Sequence, residues 1–260
     1  GYGPAHGLKE KVDHTRGCQW GLSHIKGGIW QSVTLSLEPE LRIPKLLVTP
    51  DVAKKSVRVD YTILNHTGKN MNCELTGVVT DAMKSAANRP AGGVSDSRVL
   101  KPGVNTGSFT VTLREPQLWS VDRPYLYWLN LFVRESGRVL SSASARFGMR
   151  EFRAENGRFL LNGEPLFVHG SNWVPAEAMH GEARDRIRRG LELFADLGCN
   201  MVRCWGGGVY EDHDFFDYCD EHGMLVWQDF MFACAFYDLT PAFEQSVTAE
   251  IADNLRRIRH

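Results

Sequence analysis

The stretch RCWGGGVYEDHDFFDYCDEHGMLVWQDF, Arg203 to Phe230, lies across two short apolar segments, NMVRCW and MLVWQDF. Both segments have the length and composition of buried strands, and a helical segment separates them. Each strand nevertheless ends in residues that a protein core rarely holds, because one ends in Arg203 and Trp205 and the other in Gln228 and Asp229. The pattern predicts a strand–helix–strand unit whose strands carry polar and aromatic side chains at their carboxyl ends.

The same alternation of strands and helices runs through residues 151–260. A hairpin is predicted at Asn162–Gly163, followed by a strand that passes through Phe167 and Val168 and closes on Asn172 and Trp173. The helix boundaries are predicted from a stop at Gly198, a stop at His222–Gly223 and a start at Thr240–Pro241. The residues predicted to face inward are Ile187, Leu191, Phe194 and Leu197, then Phe215, Phe216 and Cys219, then Phe243, Val247, Ile251, Leu255 and Ile258. A βαβαβα order predicts a parallel sheet covered by helices.

The sequence pattern is different over residues 41–150. Short segments rich in β-branched or aromatic residues, such as KSVRVDYTIL, GSFTVTL and LYWLNLFV, alternate there with turn clusters such as NHTGKN and KPGVNTG. Apolar residues alternate with polar ones at Val57, Val59, Tyr61 and Ile63, as a half-buried strand requires. This spacing predicts a β-sandwich over residues 41–150. Residues 1–40 are too few for a domain, and we interpret them as the C-terminal remnant of a preceding β-domain.

The overall composition is that of a globular protein without a strongly charged partner. The chain has 260 residues, 43% of them hydrophobic, with a formal net charge of −1. This balance gives no electrostatic reason to expect nucleic acid or an anionic membrane as a partner, and no apolar segment approaches the ~18–20 residues of a membrane span. The six cysteines (Cys18, Cys73, Cys199, Cys204, Cys219 and Cys234) form no CxxC pair. They are predicted to be structural thiols, and no metal site or cofactor is predicted.

The polar strand ends predict a binding site, because ligands of parallel α/β proteins bind beyond the carboxyl ends of the strands. Three consecutive strands deliver Asn172 and Trp173, Arg203 and Trp205, and Asp229 to one rim. Indole faces stack on apolar sugar surfaces, while the polar groups supply directional hydrogen bonds, so the set suits a polyhydroxylated ligand. The alternative interpretation is that the tryptophans fill the core and that Arg203 and Asp229 form a structural ion pair.

A second interpretation comes from the three glycines that follow the Arg203 strand. A strand, Gly206 to Gly208, a helix and a strand that ends in Asp229 partly match a dinucleotide-binding fingerprint. Glu211 stands where that fingerprint requires its third glycine, and its side chain would obstruct close packing of the helix on the strand. The dinucleotide interpretation is therefore the less favoured one.

Three long motifs resemble glycoside hydrolase family 2, and most closely its β-mannosidase branch. They are PQLWSVDRPYLYWLNL over Pro116–Leu131, FGMREF continuing into LNGEPLFVHGSNWVP within Phe147–Pro175, and the segment Leu197–Tyr237. GGIWQSVTL at Gly27–Leu35 is similar to the end of the family's N-terminal sugar-binding β-domain. The resemblance implies an immunoglobulin-like sandwich followed by a (β/α)8 TIM barrel that hydrolyses β-glycosides with retention.

The resemblance also implies roles for the rim residues. Arg203 would support the catalytic nucleophile, Trp205 would line the subsite of the cleaved sugar, and Asn172, Trp173 and Asp229 would lie nearby. Retaining hydrolysis needs two carboxyl groups about 5–5.5 Å apart. In the family these glutamates end barrel strands four and seven.

Residues 151–260 are expected to hold only the first three βα units of the barrel. We therefore expect no catalytic pair in this chain and no hydrolytic activity from the chain alone. The partner expected for the parent enzyme is a carbohydrate substrate, a β-mannoside or a related β-glycoside. The alternatives are a β-glucosaminidase or β-galactosidase relative, or a non-catalytic carbohydrate-binding or structural module.

Overall fold

The computed structural model describes residues 33, 35, 37–81, 90–176, 183–233 and 236–258. Two compact units make up the chain, one centred on residues 34–166 and the other on residues 167–259. The segment interpreted as a domain remnant, residues 1–40, lies outside the described residues except near its end. Cys18 and Cys234 also lie outside them, while Cys73, Cys199, Cys204 and Cys219 are free thiols.

Seven strands of the first unit form two antiparallel sheets. They are β1 (Leu41–Asp51), β2 (Ser56–Asn65), β3 (Met71–Asp81), β4 (Pro90–Leu100), β5 (Gly103–Thr112), β6 (Leu126–Glu135) and β7 (Arg138–Gly148). One sheet has the order β1-β2-β5 and the other the order β4-β3-β6-β7. The predicted alternation in β2 is confirmed, because Val57, Val59, Tyr61 and Ile63 are all buried.

The two sheets pack face to face over a shared core. One cluster joins Val59 of β2 and Val111 of β5 to Val79 of β3 and Leu129 of β6, so both sheets contribute to it. Tyr127 of β6 is buried in the same cluster, and its hydroxyl accepts a hydrogen bond of 2.8 Å from the backbone N–H of Gln117. Truncation of a fully buried leucine such as Leu129 to alanine typically costs about 2–5 kcal/mol, so this core dominates the stability of the unit.

A small meander follows the sandwich within the first unit. Strands β8 (Phe152–Glu155), β9 (Arg158–Leu161) and β10 (Glu164–Leu166) form an antiparallel sheet in the order β10-β9-β8. The predicted hairpin at Asn162–Gly163 is confirmed, with φ values of 54° and 86°. Positive φ at both central residues is the geometry that Asn-Gly turns favour between two strands.

The second unit contains a parallel sheet with helices. Its strands β11 (Gly170–Trp173), β12 (Met201–Cys204) and β13 (Leu225–Gln228) pair in that order, and its helices are α1 (Ala183–Asp196), α2 (His213–Glu221) and α3 (Pro241–Ile258). The register places Asn172 beside Arg203 and Arg203 beside Trp227. The predicted order of strands and helices is therefore present over the described part of this unit.

The first parallel strand begins later than the sequence predicts. Phe167, Val168 and His169 are outside any strand, and the side chain of Phe167 is exposed. The amide of Asn200 explains the difference, because its Oδ1 accepts from the backbone N–H of His169 at 2.9 Å and its Nδ2 donates to the carbonyl of Phe167 at 2.8 Å. A side chain thus takes hydrogen bonds that a neighbouring strand would otherwise supply.

The helix boundaries agree with the sequence, whereas two inward-facing residues were predicted wrongly. Gly198 and Gly223 have positive φ just beyond α1 and α2, and the Thr240 hydroxyl caps α3 by accepting from the N–H of Phe243 at 3.2 Å. Leu197 is exposed because it lies beyond the last residue of α1. Leu255 is also exposed, since it lies in the last two turns of α3, whose buried side chains are in its first half.

The two outer strands of the parallel sheet lead to a prediction for the isolated 260-residue chain. Within the described residues, β11 and β13 each pair with β12 alone, so both are edge strands of this sheet. We expect slow amide hydrogen exchange in residues 41–148, fast exchange in β11 and β13, and self-association through residues 166–230. Hydrogen-exchange mass spectrometry on the purified chain measures both. Uniformly strong protection in a monomer would contradict the prediction.

Candidate functional site

The parallel sheet of the second unit has two chemically different faces. Trp173, Val202, Cys204 and Val226 share a hydrophobic cluster with residues of α1 and α2, so these side chains face the helices. Side chains alternate along a strand, which places the row Asn172, Arg203 and Trp227 on the opposite face. The strands therefore bring Asn172, Arg203 and Trp227 together on the face that does not pack on α1 and α2. We call these three residues the polar row and this face the open face.

Arg203 is the centre of the polar row. Its Nε donates to Asp229 Oδ1 at 3.2 Å and its Nη2 donates to Asp229 Oδ2 at 2.6 Å, which is a two-point ion pair. Its Nη1 donates to Asn172 Oδ1 at 2.9 Å. The guanidinium thus joins the ends of all three parallel strands, and planar two-point contacts of this kind fix the orientation of an arginine.

Asp229 is held on a second side by backbone. The N–H of Gly206, in the loop after β12, donates to Asp229 Oδ2 at 3.2 Å. The Asp229 side chain is only 18% exposed, whereas that of Arg203 is 41% exposed. The carboxylate is therefore directed at Arg203 and the loop, and the arginine is the member of the pair that solvent or a ligand reaches.

The glycines after β12 are explained by close approaches within the protein. A Cβ on Gly206 would lie 2.5 Å from the carbonyl oxygen of Phe232, and one on Gly207 would lie 2.1 Å from the Trp205 ring. The space that a dinucleotide phosphate would need above these glycines is thus filled by the chain's own backbone and indole. This contact argues against the dinucleotide interpretation and fixes one face of Trp205 against the loop.

Trp173 differs from the rim position that the sequence suggests. Its side chain is 6% exposed, and its ring packs against Phe194 and Phe215 with centroid separations of 6.0 and 5.1 Å. Trp173 is the fourth residue of β11, one place after Asn172, so alternation turns its indole toward the helices. The core interpretation thus describes Trp173, and the ion pair between Arg203 and Asp229 that it also predicted is present. Asn172 meets Arg203 at the same strand ends.

Glu211 is a buried acid that belongs to the helix side of the sheet. Its Oε1 accepts from the Trp173 indole N–H at 2.8 Å, and its backbone carbonyl accepts from Arg257 Nη1 at 2.7 Å. Burial raises the pKa of the Glu211 carboxyl above its ordinary range, and the hydrogen bond from Trp173 opposes that shift. Burial, with Glu211 and Asp229 nearby, also raises the pKa of the Cys204 thiol, which keeps the thiol protonated.

Trp227 is a residue of this face that the sequence reasoning missed. It lies in β13 in register with Arg203, and its side chain is 52% exposed. The available signal was the alternation in MLVWQDF, which turns Trp227 and its neighbours to opposite faces. Trp227 lies inside an apolar segment, where an indole is typical of a buried strand, so the strand-end residues alone were predicted to form the site.

The described residues contain no group of three or more His, Cys, Asp or Glu side chains arranged to hold a metal ion. In the same part of the chain, no helix is both long and apolar enough to cross a membrane. The described groups of the open face are the guanidinium of Arg203, the carboxylate of Asp229, the amide of Asn172 and the indole of Trp227.

Comparison with known proteins shows which proteins the chain resembles. Residues 41–150 match the model of glycosyl hydrolases family 2. The chain is 30% identical over 267 aligned residues to β-mannosidase B of Neosartorya fischeri, covering 96% of the chain and 30% of that protein. It is 28% identical to β-mannosidase B of Aspergillus terreus over 99% of the chain and 31% of that protein. Residues 41–150 thus match glycosyl hydrolases family 2, and the chain along nearly its whole length is similar to proteins named β-mannosidase B.

Solved structures agree with this assignment. The β-D-mannosidase of Dictyoglomus thermophilum matches 85% of the chain and 28% of that protein, with a TM-score of 0.74 and 27% identity. A family 2 member of Bacteroides cellulosilyticus matches 85% of the chain and 29% of that protein, with a TM-score of 0.73 and 21% identity, which shows the fold alone. The chain is thus similar to proteins named β-mannosidase, and it spans about 30% of the length of these relatives.

Glu211 leads to a prediction about pH. Because the folded-state pKa is raised, the folded protein holds this proton more tightly than the unfolded chain, whose carboxyl titrates near about 4.3. The contribution of Glu211 to the free energy of unfolding is thus present below that value and is lost as the pH rises through the folded pKa. Glu211→Gln should therefore lose less stability than the wild-type protein between about pH 4 and about pH 7.

Urea unfolding at a series of pH values measures the effect. Glu192→Gln is the control, because Glu192 is an exposed carboxylate in an ion pair with Arg188, and exposed pairs contribute little to stability. If Glu211→Gln and Glu192→Gln showed the same pH dependence as the wild type, Glu211 would not be the buried acid described above.

Proposed function

We propose that the full-length protein is a retaining glycoside hydrolase that acts on β-glycosides, with a β-mannoside as its substrate. The observation that carries the proposal is the meeting of Arg203, Asn172 and Asp229 at the strand ends, in a chain of which 96% aligns with β-mannosidase B. The chain's similarity to β-mannosidase supports mannose over other sugars. The geometry of the polar row supports a site that recognises hydroxyl and carboxylate oxygens.

The proposal includes the wider fold of the family, an immunoglobulin-like sandwich followed by the first βα units of a (β/α)8 barrel. The sheet orders β1-β2-β5 and β4-β3-β6-β7 support the sandwich assignment. The hydroxyl of Tyr127, near the start of β6, accepts from the backbone ten residues upstream, as tyrosine corners of such sandwiches do. Three parallel strands in sequential order with helices on one face support the barrel assignment.

Arg203 offers the groups that a sugar-cleaving site requires. An arginine has five N–H donors, and the described contacts use three of them, which leaves one N–H on each terminal nitrogen. These two donors lie on the face that also presents Trp227, with Trp205 at the end of the same strand. Donors beside indole surfaces suit a sugar ring, because its hydroxyl groups need directional partners and its C–H face needs an apolar one.

The catalytic carboxyl pair is proposed to lie outside this chain, at the ends of barrel strands four and seven. Asp229 and Glu211 do not supply such a pair, since Asp229 is paired with Arg203 and Glu211 is buried beneath Trp173. Arg203 would orient the carboxylate nucleophile, and the neighbouring groups would hold the sugar. No cofactor or metal enters this mechanism, which needs only a proton donor and a nucleophile.

The proposed substrate class is tested with the full-length protein on aryl β-mannoside, β-glucosaminide, β-galactoside and β-glucuronide. The expected result is hydrolysis with a clear preference for the β-mannoside and retention of the anomeric configuration. Preference for another sugar would overturn the mannoside assignment while leaving the class intact. Absence of hydrolysis on every substrate, together with measurable binding of the sugar, would favour a carbohydrate-binding module.

The 260-residue chain alone is expected not to hydrolyse aryl β-mannosides, because it would lack both the proton donor and the nucleophile. The assay compares the purified chain with the full-length protein at equal molar concentration. Activity of the chain above background that disappears in Asp229→Asn would show that the catalytic residues have been misassigned.

Trp205→Ala is expected to lower the kcat/KM of the full-length protein by about 100-fold or more while the melting temperature changes little, because a sugar platform would be lost from a half-buried position. Trp128→Ala is the matched control, since Trp128 is an exposed indole on the sandwich. If Trp205 instead fills the core, its truncation costs about 3–5 kcal/mol of stability. A large fall in melting temperature with normal kinetics would therefore contradict the platform role.

A further inference from the structure

We infer that Asp229 is a positioning residue that acts on the substrate only through Arg203, with Asn172 and the Gly206 N–H as its fellow supports. The inference rests on the proposed function and deepens it. It changes the role of Asp229 from a group near the cleaved sugar, as the resemblance implies, to the group that sets the direction of the arginine.

The contacts of Asp229 leave little of its carboxylate for a ligand. Oδ1 accepts from Arg203 Nε, and Oδ2 accepts from both Arg203 Nη2 and the N–H of Gly206. Three charge-assisted or backbone donors occupy this carboxylate, and only 18% of the side chain is exposed. These donors take three of the four acceptor sites of the carboxylate, so a sugar hydroxyl would find only one site left, on Oδ1, in a side chain that solvent hardly reaches.

The contacts of Arg203 turn it toward a ligand. Its Nε and one N–H of Nη2 are taken by Asp229, and one N–H of Nη1 is taken by Asn172 on the opposite side. Partners on two sides prevent rotation of the planar group about its long axis. The two donors that the described contacts leave, one on each Nη, are then fixed in direction before any substrate arrives.

The consequence for activity follows from this geometry. Asp229→Asn replaces one carboxylate oxygen by an NH₂ group that faces the guanidinium cation. One of the two hydrogen bonds to Arg203 is then lost, and the guanidinium is free to rotate. Displacement of a substrate-facing group by about 1 Å can lower the rate about 100-fold. Arg203→Lys removes the planar two-point donor that Asp229 orients. The loss of kcat/KM caused by Asp229→Asn should therefore largely vanish in an Arg203→Lys background.

A double-mutant cycle in the full-length protein tests the inference through kcat/KM on an aryl β-mannoside. Asp229→Asn is expected to lower kcat/KM about 100-fold in the wild-type background and less than about 3-fold in the Arg203→Lys background. Glu192→Gln, which removes a carboxylate from the exposed ion pair with Arg188, is the matched control and should keep wild-type activity.

Two outcomes would overturn the inference. An equal loss in both backgrounds with unchanged melting temperatures would show that Asp229 contacts the substrate directly. An equal loss with a lowered melting temperature would show that Asp229 only maintains the fold. If Asp229→Asn does not fold, Asp229→Glu replaces it, because glutamate keeps the charge and moves the carboxylate by one methylene. The same contrast between backgrounds is then expected, at about 10-fold.

The cycle also separates this inference from the proposed function. A wild-type protein that hydrolyses no β-glycoside contradicts the proposed function. Hydrolysis by the wild type, combined with equal losses in the two backgrounds, contradicts only the positioning role of Asp229.

Discussion

The two-point ion pair between Arg203 and Asp229 joins the second and third strands of the parallel sheet, and the bond from Arg203 to Asn172 extends the connection to the first. This arrangement depends on register, since Asn172 and Arg203 are paired residues on neighbouring strands and therefore project to the same face. A one-residue shift would turn either side chain toward the helices. The hydrophobic cluster on the helix side therefore stabilises the polar row as well, because it holds the strands in register.

The opposite face of the sheet supplies that constraint. Trp173, Phe215 and Leu191 fill the space between the sheet and its helices, and the Trp173 indole donates to buried Glu211. Glu211 lies just before α2, so this bond connects the first strand to the loop that leaves the second. The glycines of that loop allow the indole of Trp205 and the backbone near Phe232 to approach closely. Core packing and the polar row thus depend on the same short loop.

Much of this arrangement could be predicted from the sequence, and the errors have physical causes. Alternation and turn residues indicated the strands of the sandwich, the hairpin at Asn162–Gly163 and the order of the parallel strands. Local sequence patterns do not show tertiary hydrogen bonds. The sequence therefore did not predict that Asn200 bonds to the backbone of Phe167 and His169, or that β11 begins only at Gly170. Trp173 was predicted at the rim because it ends a strand, and Trp227 was given no role. Side-chain alternation instead buries Trp173 and exposes Trp227.

The central claim is that the strand ends form part of a sugar site organised around Arg203. A crystal structure of the full-length protein with a mannose-configured glycosidase inhibitor tests it most directly. We expect Arg203 still paired with Asp229 and Asn172, its remaining N–H groups directed at the ligand or the nucleophile, and an indole of Trp205 or Trp227 against the sugar ring. An inhibitor bound away from these strand ends, with Arg203 directed at protein alone, would contradict it.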